Sequence, residues 1–251
     1  MTELRLETRA LRRRFGALVA LQKIDFRLAA GARHALIGPN GAGKTTFINL
    51  LSGALPPSGG RVLLKGEDIT EKTQAERVKL GIARTFQINR LFRGLSVLEN
   101  VCMSVAERAG ASPTMFYPVG RRTDIIDESM HLLEWLKLSA DAAHRVSELP
   151  YGRQRLVEIA IAIGLKPDVL LLDEPAAGVP SAESHIILDA IERLPEHLAI
   201  LIIEHDMDLV FRFAKRVTVM VGGALFAEGT PREIETNSEV RAVYLGQAGH
   251  G

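Results

Sequence analysis

Apolar and polar residues change their rhythm along this chain, and each change predicts a different kind of element. From Leu4 to Ile37 short alternating runs, Leu4-Arg5-Leu6-Glu7 and Ile24-Asp25-Phe26-Arg27-Leu28, read as short strands, with a turn at Ala29-Ala30-Gly31-Ala32. His34-Ala35-Leu36-Ile37 reads as an apolar strand and Phe47-Ile48-Asn49-Leu50-Leu51 as a helical run, stopped by Ser52-Gly53 and by the Pro56–Gly60 cluster. Arg61-Val62-Leu63-Leu64 and Gly81-Ile82-Ala83-Arg84-Thr85-Phe86 predict further strands. From Ser96 to about Leu165 the spacing lengthens to helical periodicity, with Val97-Leu98-Val101-Val105 and Ile126-Met130-Leu133-Leu136 as the apolar stripes. Between those helices, Gly110 to Arg122 has the composition of a loop. Val169-Leu170-Leu171-Leu172 and Leu198 to Ile203 are unbroken apolar runs, as expected of strands buried on both faces of a parallel sheet. A hairpin turning at Gly222-Gly223 and helices between Pro231 and Leu245 end the pattern. The expected fold class is α/β: a core with a mostly parallel sheet, an N-terminal antiparallel β subdomain and an inserted α-helical subdomain. One domain spans 1–251, with 1–95 and 166–251 forming the core and about 96–165 the insertion.

The chemistry enters between the apolar strand and the helix that follows. Gly38-Pro39-Asn40-Gly41-Ala42-Gly43-Lys44-Thr45-Thr46 fits G-x-x-x-x-G-K-[ST] at every fixed position. Gly41 and Gly43 let the backbone curl so that its N–H groups face phosphate oxygens, Lys44 adds a point charge, and the Thr45 hydroxyl suits Mg²⁺. A tight turn alone has no use for Lys-Thr after its last glycine, so the chain is expected to bind a nucleoside triphosphate, and its α/β core is expected to be a P-loop NTPase core. Parallel strands present ligands at their carboxyl ends. There stand Asp173, suited to Mg²⁺, and Glu174, suited to polarising a water for attack on the γ-phosphate. His205 follows the next buried strand and is expected at the same sheet edge, in contact with phosphate. Gln87 closes a strand and reads either as a ligand of a metal-bound water or as a solvated strand end. Phe15 reads either as a core aromatic or as an exposed ring that stacks on adenine.

Bulk properties narrow the class. A hydrophobic share of 47 % over 251 residues supports a real core, and a formal net charge of +1 gives no general attraction to nucleic acid. Cys102 is the single cysteine, which excludes an internal disulfide and fits a reducing compartment. No apolar run approaches the ~18 residues of a membrane span, and charged residues soon follow Met1, unlike a signal peptide. A soluble, cytoplasmic chain is expected.

Taken in order, the phosphate loop, Gln87, the helical block, the Leu-Leu-Leu-Asp-Glu-Pro strand and His205 resemble the ATP-binding cassette (ABC) family over nearly the whole length. The resemblance places Leu149-Pro150-Tyr151-Gly152-Arg153-Gln154 at the family's signature position. Finer matches are similar to the LivG-type subunits of branched-chain or hydrophobic amino acid importers. They are Arg84-Thr85-Phe86-Gln87 with Arg90-Leu91-Phe92-Arg93, Glu174-Pro175-Ala176-Ala177-Gly178, Ile203-Glu204-His205-Asp206-Met207 and Val243-Tyr244-Leu245-Gly246.

This likeness implies an ATPase that uses ATP and Mg²⁺. Glu174, His205 and Lys44 would be catalytic, and Thr45, Gln87 and Asp173 would serve the metal. It makes Phe15 the adenine-stacking residue and pairs the chain head to tail with a second cassette, as homodimer or heterodimer. Leu149, Pro150, Tyr151 and Gly152 then close on the partner's nucleotide. The region Gln87–Arg93 would meet transmembrane permease subunits, placing the chain peripherally on the cytoplasmic face of the inner or plasma membrane.

Two departures stand out: Pro150 where the subfamily usually has Ser, and Arg153 where it has Gln, with Val179-Pro180-Ser181 replacing a more usual Leu-Asn-Pro. Proline supplies neither hydroxyl nor N–H to a phosphate, which leads us to expect a heterodimer with unequal ATP sites. The rival readings are a soluble non-transport cassette, a regulatory cassette with weak hydrolysis, and a GTPase. The first normally carries two cassettes or a coiled-coil insertion, and the last lacks any Asn-Lys-x-Asp segment here. Retention of Glu174 and His205 speaks against the regulatory reading.

Overall fold

The computed structural model describes residues 3–85, 91–110 and 122–245. In chain order these form β1 (Leu4–Phe15), β2 (Leu18–Ala29), β3 (Arg33–Ile37), α1 (Lys44–Ser52), β4 (Gly59–Leu64), β5 (Glu67–Asp68), α2 (Gln74–Lys79) and β6 (Ile82–Arg84). There follow α3 (Val97–Arg108), α4 (Thr123–Trp135), α5 (Tyr151–Gly164), β7 (Val169–Asp173), α6 (Ser181–Glu192) and β8 (Ala199–Ile203). The last are α7 (Met207–Phe213), β9 (Arg216–Val221), β10 (Ala224–Gly229), α8 (Pro231–Thr236) and α9 (Ser238–Leu245). Two compact units result, one of residues 1–82, 168–174 and 195–251, the other of 83–167 and 175–194.

The first unit carries an antiparallel sheet in the order β2-β1-β4-β5 and the strands β10-β9-β3-β8-β7 of a second sheet, whose next strand in order is β6. In the second sheet β3 pairs parallel with both β8 and β9, β7 pairs parallel with β8, and β9 pairs antiparallel with β10. Every residue of β7 and β8 is buried. Phe26 of β2 sets its ring edge-on to Phe47 of α1 at 5.5 Å, which locks the antiparallel sheet to the helix behind the phosphate loop.

The short strands expected at Leu4–Glu7 and Ile24–Leu28 are in fact the ends of two strands of 12 residues each, β1 and β2, paired as one hairpin. Two irregularities disguise their length. Ala10 (φ 46°) and Lys23 (φ 36°) bulge, so the buried set shifts phase from Leu6 and Thr8 to Leu11, and from Phe26 and Ile24 to Leu21. A single inserted residue turns every later side chain to the other face, so a period-2 reading stops there. Of the strand expected over Gly81–Phe86, β6 occupies Ile82–Arg84; Phe86 and Gln87 lie outside the described residues, as does most of the expected loop after Gly110.

In the second unit α3 begins with a reciprocal cap, Ser96 accepting from the Glu99 amide while Glu99 accepts from the Ser96 amide at 2.7 Å. Helix α4 buries Ile125, Ser129, Leu133 and its C-cap Leu136, so the expected stripe through Ile126 and Met130 is off by one position. The sequence misleads because a serine occupies the inward face; its hydroxyl donates to the Ile125 carbonyl at 2.7 Å, so its burial leaves no polar atom stranded. Arg108 of α3 reaches Glu128 of α4 and the Gly164 carbonyl of α5, tying the three helices.

One buried arginine deserves a mutation. Arg77 of α2 is 1 % exposed and donates to backbone from all three of its side-chain nitrogens: to Lys72 O at 3.1 Å, Thr70 O at 2.8 Å, and the α1 carbonyls Leu50 O and Leu51 O at 2.7 and 2.9 Å. It thus satisfies the open carbonyls at the end of α1. Arg77→Met should destabilise the fold by about 2–4 kcal/mol in denaturant unfolding, because several buried carbonyls lose their donors together.

A second test concerns pH. Burial lowers the His34 imidazole to a pKa of about 4, with Nε2 2.8 Å from the Thr218 hydroxyl. The unfolded chain, at the ordinary value of about 6.5, takes up the proton first. Stability from this group is therefore full above about pH 6.5 and is lost as pH falls toward 4. Between pH 7 and 4.5 His34→Gln should lose about 2–3 kcal/mol less than the parent protein does.

Candidate functional site

The loop Gly38–Gly43 leaves β3 and enters α1 through glycines that no other residue would replace without strain. A Cβ on Gly38 would lie 2.1 Å from the Met220 carbonyl oxygen, and on Gly43 (φ 102°) 2.9 Å from a methyl of Leu21. The loop curls onto itself, the Ala42 amide donating to Pro39 O at 3.2 Å and the Phe47 amide to Gly43 O at 2.8 Å.

Lys44 is 9 % exposed and its ammonium donates to Gly38 O at 2.6 Å and Pro39 O at 3.0 Å. An ammonium has three donors, so one remains for an anion held in the curl. Burial lowers the Lys44 pKa, while the charges of Glu174 and Asp173 oppose that shift. An arriving phosphate would favour the ammonium further.

A cavity of about 490 Å³ brings the sequence-selected residues together: Asn40, Gly41, Gly43, Lys44, Thr45 and Thr46 on one side, Glu174 and Phe15 on others. That volume is in the range of small-molecule sites. Phe15 is exposed at 45 %, not a core residue, and the Arg13 guanidinium lies 4.6 Å from its ring centre. Asp173 is buried to 1 % at the end of β7, one residue before Glu174. Glu174 adopts a left-handed backbone (φ 47°), and its amide donates to Ile203 O at 2.9 Å, which turns the chain out of the sheet at its carboxyl edge. Such a conformation in a residue with a side chain costs energy and is found where geometry matters more than local ease.

His205 follows β8, the strand paired with β7, so it occupies the same sheet edge as Glu174. Its side chain is 69 % exposed and does not line the cavity. Gln87 lies outside the described residues. Leu149, Pro150, Tyr151 and Gly152 belong to the second unit, at the start of α5, where Pro150 is the N-cap and supplies no side-chain cap.

Sequence reading passed over one contributor. Gly222 and Gly223, read only as a turn, line the cavity and brace the loop. The Gly223 amide donates to Ala42 O at 2.9 Å, and Gly223 O accepts from the Gln22 amide at 2.8 Å. A Cβ on Gly223 (φ 79°) would stand 2.4 Å from Ala20 O. The doubled glycine was the available signal, since a hairpin turn by itself does not explain so close an approach of three backbones.

Helix ends divide by chemistry in the same way. The helices α2, α3 and α8 carry reciprocal side-chain caps with a glutamate in the first turn. By contrast α1 and α5 have neither a side-chain cap nor an acidic residue there. Their N-termini keep their amides and dipoles available to an external anion.

A parallel sheet with a lysine-bearing glycine loop and a carboxylate pair at its edge defines a phosphate-loop nucleotide-binding protein. The family model described as "ABC transporter" matches residues 21–177. The chain is 37 % identical over 255 aligned positions to the high-affinity branched-chain amino acid transport ATP-binding protein LivG of Escherichia coli K12, covering 99 % of this chain and 100 % of that one. It is likewise 37 % identical to the Pseudomonas aeruginosa protein BraF, described in the same words, over 97 % of this chain and 98 % of that one. A crystal structure of the ADP conformation of an ATP-binding cassette of an ABC transporter superposes with a TM-score of 0.86 at 31 % identity, covering 98 % of this chain and 100 % of that one. The chain belongs to the ABC transporter family and is one of its ATP-binding ATPase cassettes.

Replacing Lys44 by Ala should weaken binding of a fluorescent ATP analogue by about 10- to 100-fold, the value of a charge-assisted bond to phosphate. Gly223→Ala should also weaken it by displacing the loop; an unchanged affinity would separate the hairpin from the site.

Proposed function

We propose that the chain is the ATP-binding and hydrolysing subunit of an importer for branched-chain or hydrophobic amino acids, or similar small organic solutes. The observation that carries this is the convergence of Lys44, Thr45 and Glu174 on one cavity in a chain alike from end to end to proteins described as serving branched-chain amino acid transport.

In this reading the adenine lies against Phe15, and the triphosphate follows the loop from Gly38 through Asn40, Ala42 and Thr46. The loop amides and the Lys44 ammonium hold the β- and γ-phosphates and meet the charge that grows on the equatorial oxygens of the transferring group. Glu174 accepts a proton from the attacking water as its oxygen bonds to the γ-phosphorus and the bond to the β-phosphate oxygen breaks. His205, at the end of the neighbouring strand, is the next group available to the γ-phosphate.

A Mg²⁺ ion suits the donors present. Among the described residues no group of three or more His, Cys, Asp or Glu could hold a metal alone. The pair Thr45 and Asp173 instead fits a cation that takes most of its ligands from phosphate and water, with Gln87 as a further ligand. Bound there, the ion would neutralise phosphate charge.

The chain works as one of two cassettes paired head to tail, as homodimer or heterodimer. The segment from Leu149 to Gly152 closes on the nucleotide held by the partner, with the amides of Tyr151 and Gly152 as the donors at the start of α5. The Arg-rich region up to Arg93 meets permease subunits on the cytoplasmic face of the membrane. Phe92 there is 61 % exposed although its backbone is pinned by the buried Asn100, through bonds of 3.0 and 3.1 Å. A large ring displayed on a fixed support suits a protein partner. No helix among the described residues is long and apolar enough to cross a membrane, so permease contact is the proposed means of attachment.

The test is Glu174→Gln in the complex assembled with its permease. Hydrolysis should fall by roughly 10²–10⁴-fold while ATP affinity stays near that of the parent. Turnover within a few-fold of the parent would move the general-base role away from Glu174. Uptake of labelled leucine in a strain lacking its own carriers tests the solute class.

A further inference from the structure

Beneath the first turn of α5 lies a charged group that none of the roles above uses. Arg155 and Glu158 are 5 % and 9 % exposed, and Arg155 Nη1 donates to Glu158 Oε2 at 2.8 Å. The other arm of the same guanidinium, Nη2, donates to the Tyr151 hydroxyl at 2.7 Å, and the Arg155 carbon centre lies 5.0 Å from the Tyr151 ring centre. A buried ion pair is weak evidence of net stability, since desolvation of both charges opposes their attraction. Here burial raises the Glu158 pKa, and the Arg155 charge pulls it back. A pair retained at that cost is suited to fixing a geometry.

The geometry in question is that of Tyr151. It is the first residue of α5, and its ring also packs against the loop that follows Glu174: a Cβ on Gly178 (φ 76°) would lie 3.2 Å from the ring's Cε1 and 3.5 Å from its Cζ and hydroxyl. The backbone turn at the same place is closed by the Arg153 and Gln154 amides, which both donate to Pro150 O, at 3.0 and 3.1 Å. Pro150 adds no side-chain cap, so apart from its carbonyl the turn is held by neighbours, among them Gln154 Nε2, which donates to Leu149 O at 2.8 Å.

We propose that Arg155 is a positioning residue: its fork, seated on Glu158, holds the Tyr151 phenol and so sets the first turn of α5 against the loop at Gly178. Arginine suits the place because its rigid fork sets one nitrogen on Glu158 and another on Tyr151; a lysine has all its donors on a single nitrogen. The consequence for turnover rests on the function proposed above, since that first turn is the part offered to the partner's nucleotide.

Tyr151→Phe is the clean test, because it keeps the ring, its packing on Gly178 and the Arg155–Glu158 pair. Amide exchange of Arg153 and Gln154 should speed up several-fold in the full chain, with the rest of α5 unchanged. In the assembled ATPase kcat should fall about 10- to 100-fold, the value of one hydrogen bond to a charged donor, while KM for ATP and analogue affinity at Lys44 stay within twofold. Arg155→Lys should match Tyr151→Phe, and the double variant should be no worse than either single one. Parent-like exchange and kcat in Tyr151→Phe would overturn the proposal, as would losses that multiply in the double variant. A parent protein that never hydrolyses ATP would overturn the proposed function instead, and the exchange measurement would still decide the role of Arg155.

Discussion

Lys44 is held by carbonyls of its own loop, and most of the site depends on that arrangement. An ammonium nearly out of water is tolerable because Gly38 O and Pro39 O accept from it. Those carbonyls face inward only because Gly38 and Gly43 take backbone angles that a side chain would obstruct. The loop is in turn clamped from outside by the Gly223 amide on Ala42 O, and from below by Phe47 packed on Phe26. Rigidity of this kind is what an anion site needs, since donors already aimed at the ligand lose little entropy on binding.

The same logic explains why the helices are capped unevenly. Where a helix ends in ordinary surroundings, as at Thr73, Ser96 and Thr230, a side chain and a glutamate satisfy the first amides. At α1, which the phosphate loop enters, neither is present, and a glutamate there would repel phosphate; α5 lacks both as well. With Pro150 in the cap position, the α5 turn has no side-chain cap beyond its backbone bonds and that of Gln154 to Leu149 O, and the buried Arg155–Glu158 pair is placed to add order there.

Much of this was legible in the chain as written. The Gly38–Thr46 motif, the apolar run into Asp173 and Glu174, and the helical periodicity from Ser96 onward each depend on local spacing, which sequence records directly. The reading failed where local spacing was interrupted. The bulges at Ala10 and Lys23 hid the full length of β1 and β2, and the buried Ser129 displaced the apparent stripe of α4 by one residue.

The sequence by itself determined the family, the phosphate loop and the order of its chemical groups, because those lie in contiguous motifs whose spacing is set by the ligand. Only the tertiary structure decided which distant residues share the cavity. It brought Phe15 and the Gly222-Gly223 hairpin to the loop, made Phe15 a surface ring, and left the His205 side chain out in solvent. It also joined Arg155 to Tyr151 and Glu158 beneath the α5 cap. The physical reason is the same in each case: a backbone amide, a glycine or a buried guanidinium carries no mark in the sequence of the partner it will meet, and that partner is chosen by how the sheets and helices pack.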